Sequence, residues 1–410
     1  MRFLGSVSQG ADMATQGDGT ETGGIEIRTV RVRELEEFAR ESAGLRRPGE
    51  VVPTSTSRAR AQARNPHADD DDVGLIVAYQ DGRCIGYLGI LPGLLRSGGR
   101  LGKVYWLSTW YVPPEKRSTG VGAMLLIRAL MLHRDIAVTY FTEEATRVYQ
   151  GLQFKPLGPL YYLATHLARF DVISLPGRAL RRAVRRLGAR STPVLDRMIA
   201  ATSRPAKTLL YAAMVTATRE DRRRITTRHV DQIDEPTDVW EAGLDRLTPT
   251  RFYRDPGLIN WMLADRWVVT NSGQATADYH FRDRHPLFDF VALEVYDRAD
   301  GRRLGFAVLR VVDDMFGLRT VTVFDHHFSD PEDRRYLLAL AVEQARSVLA
   351  DRIVLPLACL ARVKASRLLG RLFCLEQRAY FCRPSRPDSP LSRASDELTL
   401  DLADSDVAFA

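Results

Sequence analysis

The chain has 410 residues, of which 45% are hydrophobic and 27% charged, and its net charge is +7. That length exceeds one ordinary core and points to two domains, and that balance excludes a disordered or fibrous chain. No apolar run approaches the roughly 18 residues of a membrane span, which excludes a helical membrane protein. The positive charge is carried by arginine, with lysine only at Lys103, Lys116, Lys155, Lys207 and Lys364. Such a bias is what a GC-rich genome produces, although +7 also favours an anionic partner. Cys84, Cys359, Cys374 and Cys382 are scattered without CxxC spacing, as reduced thiols of a cytosolic protein would be. The N-terminus has Arg2 but then turns polar and is no signal peptide, so a cytoplasmic location is expected.

In chain order, residues 1–24 are polar and glycine-rich and are expected to be disordered. Ile25 to Val32 reads as a strand, and Val32 to Ala43 as a helix ended by Gly44. Arg46 to Asp72 reads as a long polar loop. Val73 to Tyr79 and Cys84 to Leu91 flank an Asp81-Gly82 turn and predict a hairpin. A strand starting near Lys103 runs into Leu107 to Val112, and Pro113-Pro114 stops it. Arg117-Ser118-Thr119-Gly120-Val121-Gly122-Ala123 then opens an apolar helix, Met124 to Leu132. A glycine turn between strand and helix is an anion site, because free N–H groups and the positive end of the helix dipole face the ligand. Ile136 to Phe141, Glu143 to Leu152 and Pro156 to Leu167 predict strand, helix and strand.

The 117–123 turn, led in by Val112-Pro113-Pro114-Glu115-Lys116-Arg117, resembles the acyl-CoA-binding signature of the GNAT family of N-acetyltransferases. The order of predicted elements from about Ile25 to His166 is similar to the GNAT fold. The resemblance implies that Tyr111, Val112, Arg117, Ser118, Thr119, Gly120, Val121, Gly122 and Ala123 hold acetyl-CoA as co-substrate. No Gly-Lys-Ser/Thr and no Gly-x-Gly-x-x-Gly is present, so other phosphate loops fit less well. The segment Ala145 to Phe154 resembles a family stretch whose tyrosine often serves as general acid, which marks Tyr149. An acid is needed because thioester aminolysis expels a thiolate. Gln153 stands where the family usually has glycine, and Thr142 where asparagine is common. Tyr149 reads alternatively as an amphipathic core tyrosine. The strand before the turn has no Asp or Glu, so the general base is left open among Glu143, Glu144 and a water chain.

Arg178, Arg181, Arg182 and Arg185 recur at helical spacing within 171–222, a basic helical linker. The stretch 178–190 fits a solvated inter-domain helix, and also a helix touching a membrane surface or polyanion. Arg223 to Asp231 predicts a strand, Thr237 to Leu247 and Pro256 to Arg266 helices, and Phe288 to Tyr296 with Arg303 to Val312 a hairpin on Asp300-Gly301. Leu318 to Phe324, Glu332 to Leu349, Ile353 to Leu357, Ala361 to Leu372 and Arg378 to Cys382 continue as strand, helix, strand, helix, strand. This repeats the first order, and 223–385 reads as a second, degenerate GNAT-like domain after 25–170. The fold class expected is α/β (α+β), two GNAT-like domains, each a twisted mixed sheet flanked by helices.

In place of the glycine turn the second half has Asp325-His326-His327-Phe328-Ser329-Asp330, whose carboxylates repel a pyrophosphate. Asp325 and His326 are candidates for an acceptor site, or loop residues without a role. No metal is expected there, since the spacing is not that of ligands. Residues 386–410 read as a flexible acidic tail. The reading is a bacterial N-acetyltransferase acting on an amino group of a small molecule, sugar or cell-envelope precursor. The alternative is a non-catalytic acyl-CoA sensor or scaffold. A nucleic-acid partner is not expected, for lack of a binding motif.

Overall fold

The computed structural model describes residues 20–22, 24–44, 50–97, 100–167, 205, 207–234, 250–270, 279–281, 284–313, 317–386, 389–393 and 398–405. Its first half contains β1 (Thr20–Thr22), β2 (Ile25–Arg31), α1 (Leu35–Gly44), α2 (Thr56–Ala63), β3 (Val73–Gln80), β4 (Arg83–Ser97) and β5 (Arg100–Tyr111). It continues with α3 (Val121–Leu132), β6 (Ile136–Thr139), α4 (Glu143–Gly151) and β7 (Lys155–His166). The second half contains β8 (Ile225–Val230), β9 (Arg251–Tyr253), α5 (Pro256–Ala264), β10 (Val269–Thr270), β11 (Arg284–His285) and β12 (Phe288–Asp297). β13 (Arg303–Asp313), β14 (Arg319–Phe328), α6 (Tyr336–Ser347), β15 (Arg352–Pro356) and β16 (Phe373–Arg383) follow. No helix of the described residues is long and apolar enough to cross a membrane.

The α/β class holds, but the two expected sheets are joined. One 14-stranded sheet runs β1-β2-β3-β4-β5-β6-β16-β7-β15-β14-β13-β12-β8, with β9 added on β4. Its centre is symmetric in pattern. β5 is parallel to β6, and β6 is antiparallel to β16. β16 is antiparallel to β7, β7 to β15, and β15 is parallel to β14. The last strand of each half therefore pairs into the sheet of the other, and neither half closes its sheet alone.

Local chemistry explains the frame. Asp81 and Gly82 sit at φ +52° and +69°, the left-handed pair that a two-residue hairpin turn requires. β3 is apolar on both sides because both faces are covered. Leu75 and Val77 pack with Leu35 and Phe38 of α1, while Ile76 and Ala78 pack with Val121, Leu125 and Tyr149 of α3 and α4. A third cluster joins the halves through Trp106, Phe252, Trp261, Phe290, Phe306 and Tyr380.

Several expectations need correction. The stretch 46–72 holds a helix, α2, capped by Ser55, whose Oγ accepts from Arg58 N at 3.2 Å. Arg58 and Gln62 are among its buried residues, so no apolar stripe announced it. Thr20–Thr22 is paired with β2, where 1–24 was expected to be disordered. The helix expected at Ala361 to Leu372 is two, Leu360–Lys364 and Arg367–Leu372, the second capped by Ser366. The C-terminal segment is packed: Leu402, Ala403 and Asp404 are buried, and Thr399 N donates to Thr250 O at 2.8 Å. The basic stretch 178–190, the helix expected at Thr237 to Leu247 and the residues before Thr20 lie outside the described residues.

Candidate active site

The site begins where two parallel strands part. β5 and β6 pair only through Tyr105–Ile136, Trp106–Ala137 and Leu107–Val138. Beyond that point β5 continues against β4 alone, and β6 ends at Thr139. The register between β4 and β5 slips there: Leu88 faces Trp110 and Gly89 faces Ser108, so Thr109 bulges out at φ +32°. Gly89 is required by the bulge, since a Cβ there would lie 2.5 Å from Thr109 Oγ1. The gap opens into a cavity of about 1020 Å³, lined by Leu107 to Val112 on one side and Val138 to Thr142 on the other.

At one end of this cavity lies the glycine turn. Pro114–Thr119 forms a short 3₁₀ turn, and Gly120 at φ +80° starts α3. Gly120 has no side chain to cap the helix, and Met124 N is the amide that bonds back to its carbonyl, at 3.0 Å. The amides of Val121, Gly122 and Ala123 thus have no acceptor within the helix. Arg117 is exposed, with Nε donating to Val112 O at 3.3 Å. Of the residues assigned to acyl-CoA from sequence, Tyr111, Val112, Arg117, Gly120, Gly122 and Ala123 line the cavity. Val121 is instead a core residue, and Thr119 Oγ1 donates to Lys116 O at 2.7 Å. Ser118 is exposed and off the cavity wall. The two glycines differ in role. Gly120 satisfies a left-handed φ, whereas a Cβ on Gly122 would meet Trp110 Cζ2 at 3.2 Å.

Tyr149 stands on the opposite wall, on α4. Thr142 caps this helix, its Oγ1 accepting from Ala145 N at 3.3 Å, and so takes a structural role at the position where asparagine was noted. Tyr149 is 2% exposed and packed among Trp110, Phe141 and Phe154 at centroid distances of 5.7, 5.8 and 5.0 Å. Its hydroxyl makes no hydrogen bond to another described residue. Burial raises its pKa, so the phenol stays protonated and can donate but not accept a proton. Glu144 lines the cavity, with its pKa lowered by its own backbone amide and by Thr142. Glu143 does not line it. Gln153 has φ +63°, a left-handed conformation that accounts for glycine at that position.

The rest of the wall was not visible in the sequence. Arg58 of α2 is 7% exposed, its guanidinium donating to Ser108 Oγ beside the bulge and stacked 4.0 Å over the Trp267 ring. The second half contributes Trp267, Val268, Tyr279, His280, Phe281 and His285. His280 stacks on Tyr111 at 3.8 Å, and its pKa is lowered by burial and then by Arg117. These residues reach the cavity by long-range packing, for which a local sequence pattern carries no signal.

Asp325 and His326 are placed elsewhere. They lie within β14, not in a loop, and do not line the cavity. The Asp325 carboxylate is held by Arg254 Nε at 2.7 Å. Arg254 also binds Asp401 at 2.8 Å and Asp404, so the expected acceptor residues belong to a buried ion cluster that fixes the C-terminal segment. His326 sits beside it, with its pKa lowered by burial. Among the described residues no group of three or more His, Cys, Asp or Glu is placed to hold a metal.

Comparison with known proteins bears on this geometry. The acetyltransferase (GNAT) family model matches residues 32–154, which include the turn, α3 and Tyr149. The chain is 31% identical over 99 residues to a mycothiol acetyltransferase of Acidimicrobium ferrooxidans, covering 22% of this chain and 31% of that protein. The match thus spans about a third of that relative's length. A GCN5-related N-acetyltransferase from Anabaena variabilis aligns with a TM-score of 0.44 and 10% identity, over 88% of this chain and 73% of the other. Saccharomyces cerevisiae N-myristoyltransferase with bound myristoyl-CoA aligns with a TM-score of 0.45 and 11% identity, over 98% and 91%. With the opened strand pair, the glycine-started helix and the family match on the same residues, residues 32–154 form an acetyltransferase domain of the GNAT family.

Proposed function

We propose that the chain is an acyl-CoA-dependent N-acyltransferase whose donor enters between β5 and β6 and whose acceptor pocket is completed by the second half. The observation that carries this reading is the parting of β5 from β6 onto a helix start left uncapped, with a protonated tyrosine on the wall. The amides of Val121, Gly122 and Ala123 and the Arg117 guanidinium suit the diphosphate of CoA. When bound, the donor supplies a thioester carbonyl for an amine to attack. In this reading Tyr149 protonates the departing sulfur. The similarity to a mycothiol acetyltransferase supports acetyl as the group transferred. The acceptor is the amino group of a small molecule, sugar or cell-envelope precursor.

The second half reads as a duplicate of the first that no longer binds the donor, which the symmetric centre of the sheet supports. Ahead of its counterpart helix α6 lies a 3₁₀ turn, Pro331–Arg335, which Asp330 caps by accepting from Glu332 N at 2.8 Å. Pro331 has no N–H, and Tyr336 N at the start of α6 donates back to Asp333 O and Arg334 O of that turn. Where the first half has a glycine-started helix end, the second half thus has a 3₁₀ turn, capped by the chain's own carboxylate, that runs into the helix. Incubation with acetyl-CoA and a panel of small amines, followed by mass spectrometry, tests the transfer. An acetylated amine with matching release of CoA is the expected result. CoA binding without any acetylated product would instead favour a sensor or scaffold.

A further inference from the structure

The transfer proposed above needs a group to remove a proton from the acceptor amine. Among the described residues, and apart from arginines and tyrosines, the titratable residues on the cavity wall are Glu144, His280 and His285. Glu144 belongs to the exposed first turn of α4, and contacts that favour its ionised form make it a weak base. His280 lies flat on Tyr111, beside Arg117 and the donor turn. His285 differs from both. It is 8% exposed and belongs to β11, which the β10 ladder ties to Trp267–Val268 through the Thr270–His285 pair. Its Nδ1 lies 3.2 Å from the Asp313 carbonyl oxygen. A carbonyl oxygen only accepts, so Nδ1 carries the proton of the neutral ring and Nε2 keeps the lone pair.

We infer that His285 is the general base of the reaction, with Nε2 taking the acceptor's proton while Nδ1 remains bonded to the Asp313 carbonyl. This deepens the acyltransferase reading and rests on it. The amine nitrogen forms the C–N bond at the thioester carbonyl and loses one proton to His285 as the C–S bond breaks. The sulfur leaves with the bonding pair and takes one proton from Tyr149, and the imidazolium returns the proton to the phenolate through solvent. The net change is amine plus thioester to amide plus thiol. Arg58 assists, since a guanidinium on the same wall disfavours an ammonium ion, and α2 is docked there by Ser57 Oγ donating to Trp267 O at 2.9 Å. Among the described residues, the charged groups on the elements around His285 are Arg58, Arg284, Arg310, Arg266 with its partner Asp289, and Asp313 with its partner Arg319.

The test is His285→Asn, which can still donate to the Asp313 carbonyl but has no basic nitrogen. Release of CoA thiol from acetyl-CoA is followed with primary alkylamines across the pH range in which the chain is folded. Transfer to alkylamines should fall about 10²–10⁴-fold, and the part of the acid limb of kcat/KM that exceeds the amine's own ionisation should disappear. His280→Asn should keep that limb. CoA affinity, measured by calorimetry, should be unchanged in His285→Asn. Turnover within about tenfold of wild type, or an acid limb beyond the amine's own ionisation that survives in His285→Asn, would overturn the assignment and leave the acyltransferase reading standing. A wild-type chain that binds CoA but releases no thiol to any nucleophile would overturn the base together with that reading.

Discussion

Removing one oxygen atom separates the two roles open to Tyr149. Its ring fills a space between Trp110, Phe141 and Phe154, and phenylalanine fills the same space. Its hydroxyl bonds no other described residue, so Tyr149→Phe orphans no described partner. The stability change should therefore stay within about 0.5 kcal/mol, and CoA affinity should hold. The rate should not. A general acid is worth about 10²–10⁴-fold, which corresponds to about 2.7–5.4 kcal/mol on the barrier. Thermal unfolding, a CoA titration and steady-state rates with the best amine of the panel give all three numbers on one sample. Turnover within about twofold of wild type would reduce Tyr149 to a packing residue, because the general-acid argument requires at least about a hundredfold.

Gly122→Val should weaken CoA binding by about tenfold or more, through Trp110: the new Cβ starts 3.2 Å from its ring, and overpacking of this kind costs about 1–3 kcal/mol. Unchanged affinity by calorimetry would place the donor elsewhere. Gln153→Gly should raise stability by about 1 kcal/mol, since it relieves a side chain held at φ +63°, and thermal unfolding reads the gain. Three carboxylates, Asp325, Asp401 and Asp404, share the Arg254 guanidinium, and burial, aided by Asp401, pushes Asp404 up to about 7. Its folded pKa then lies above the ordinary carboxylate value, so its contribution is fullest below about pH 4 and is lost as pH rises through about 7. Exchange protection of residues 398–405, corrected for intrinsic rates, should fall across that window, and Asp404→Asn should flatten the dependence.

Much of the first half was legible because its signals are local. The Asp81-Gly82 turn, the double proline after Val112 and the glycines ahead of an apolar run each fix their own backbone, and the strands and helices follow. The glycine-turn end of the cavity inherits that clarity, since Tyr111 to Ala123 are contiguous. The wall supplied by α2 and the second half is the reverse. Arg58 sits on a helix whose buried face includes arginine and glutamine, and His285 on a two-residue strand; both acquire meaning only from Trp267 and the Asp313 carbonyl. Asp325 was misplaced for the same reason. Read along the chain it is an acid in a loop, but Arg254, Asp401 and Asp404 arrive from distant sequence and bury it. The crossing of β7 and β16 between the halves is likewise invisible to a pattern of local periodicity.

The central proposal is that one helix start, left uncapped by Gly120, makes this chain an acyl-CoA protein, while its counterpart is preceded by a 3₁₀ turn that Asp330 caps. An equilibrium calorimetric titration of the full chain with CoA tests it most directly, because each half of the sheet needs a strand of the other and a fragment would not report on the native site. The account predicts a stoichiometry near one CoA per chain. Two sites per chain, or none, would contradict it.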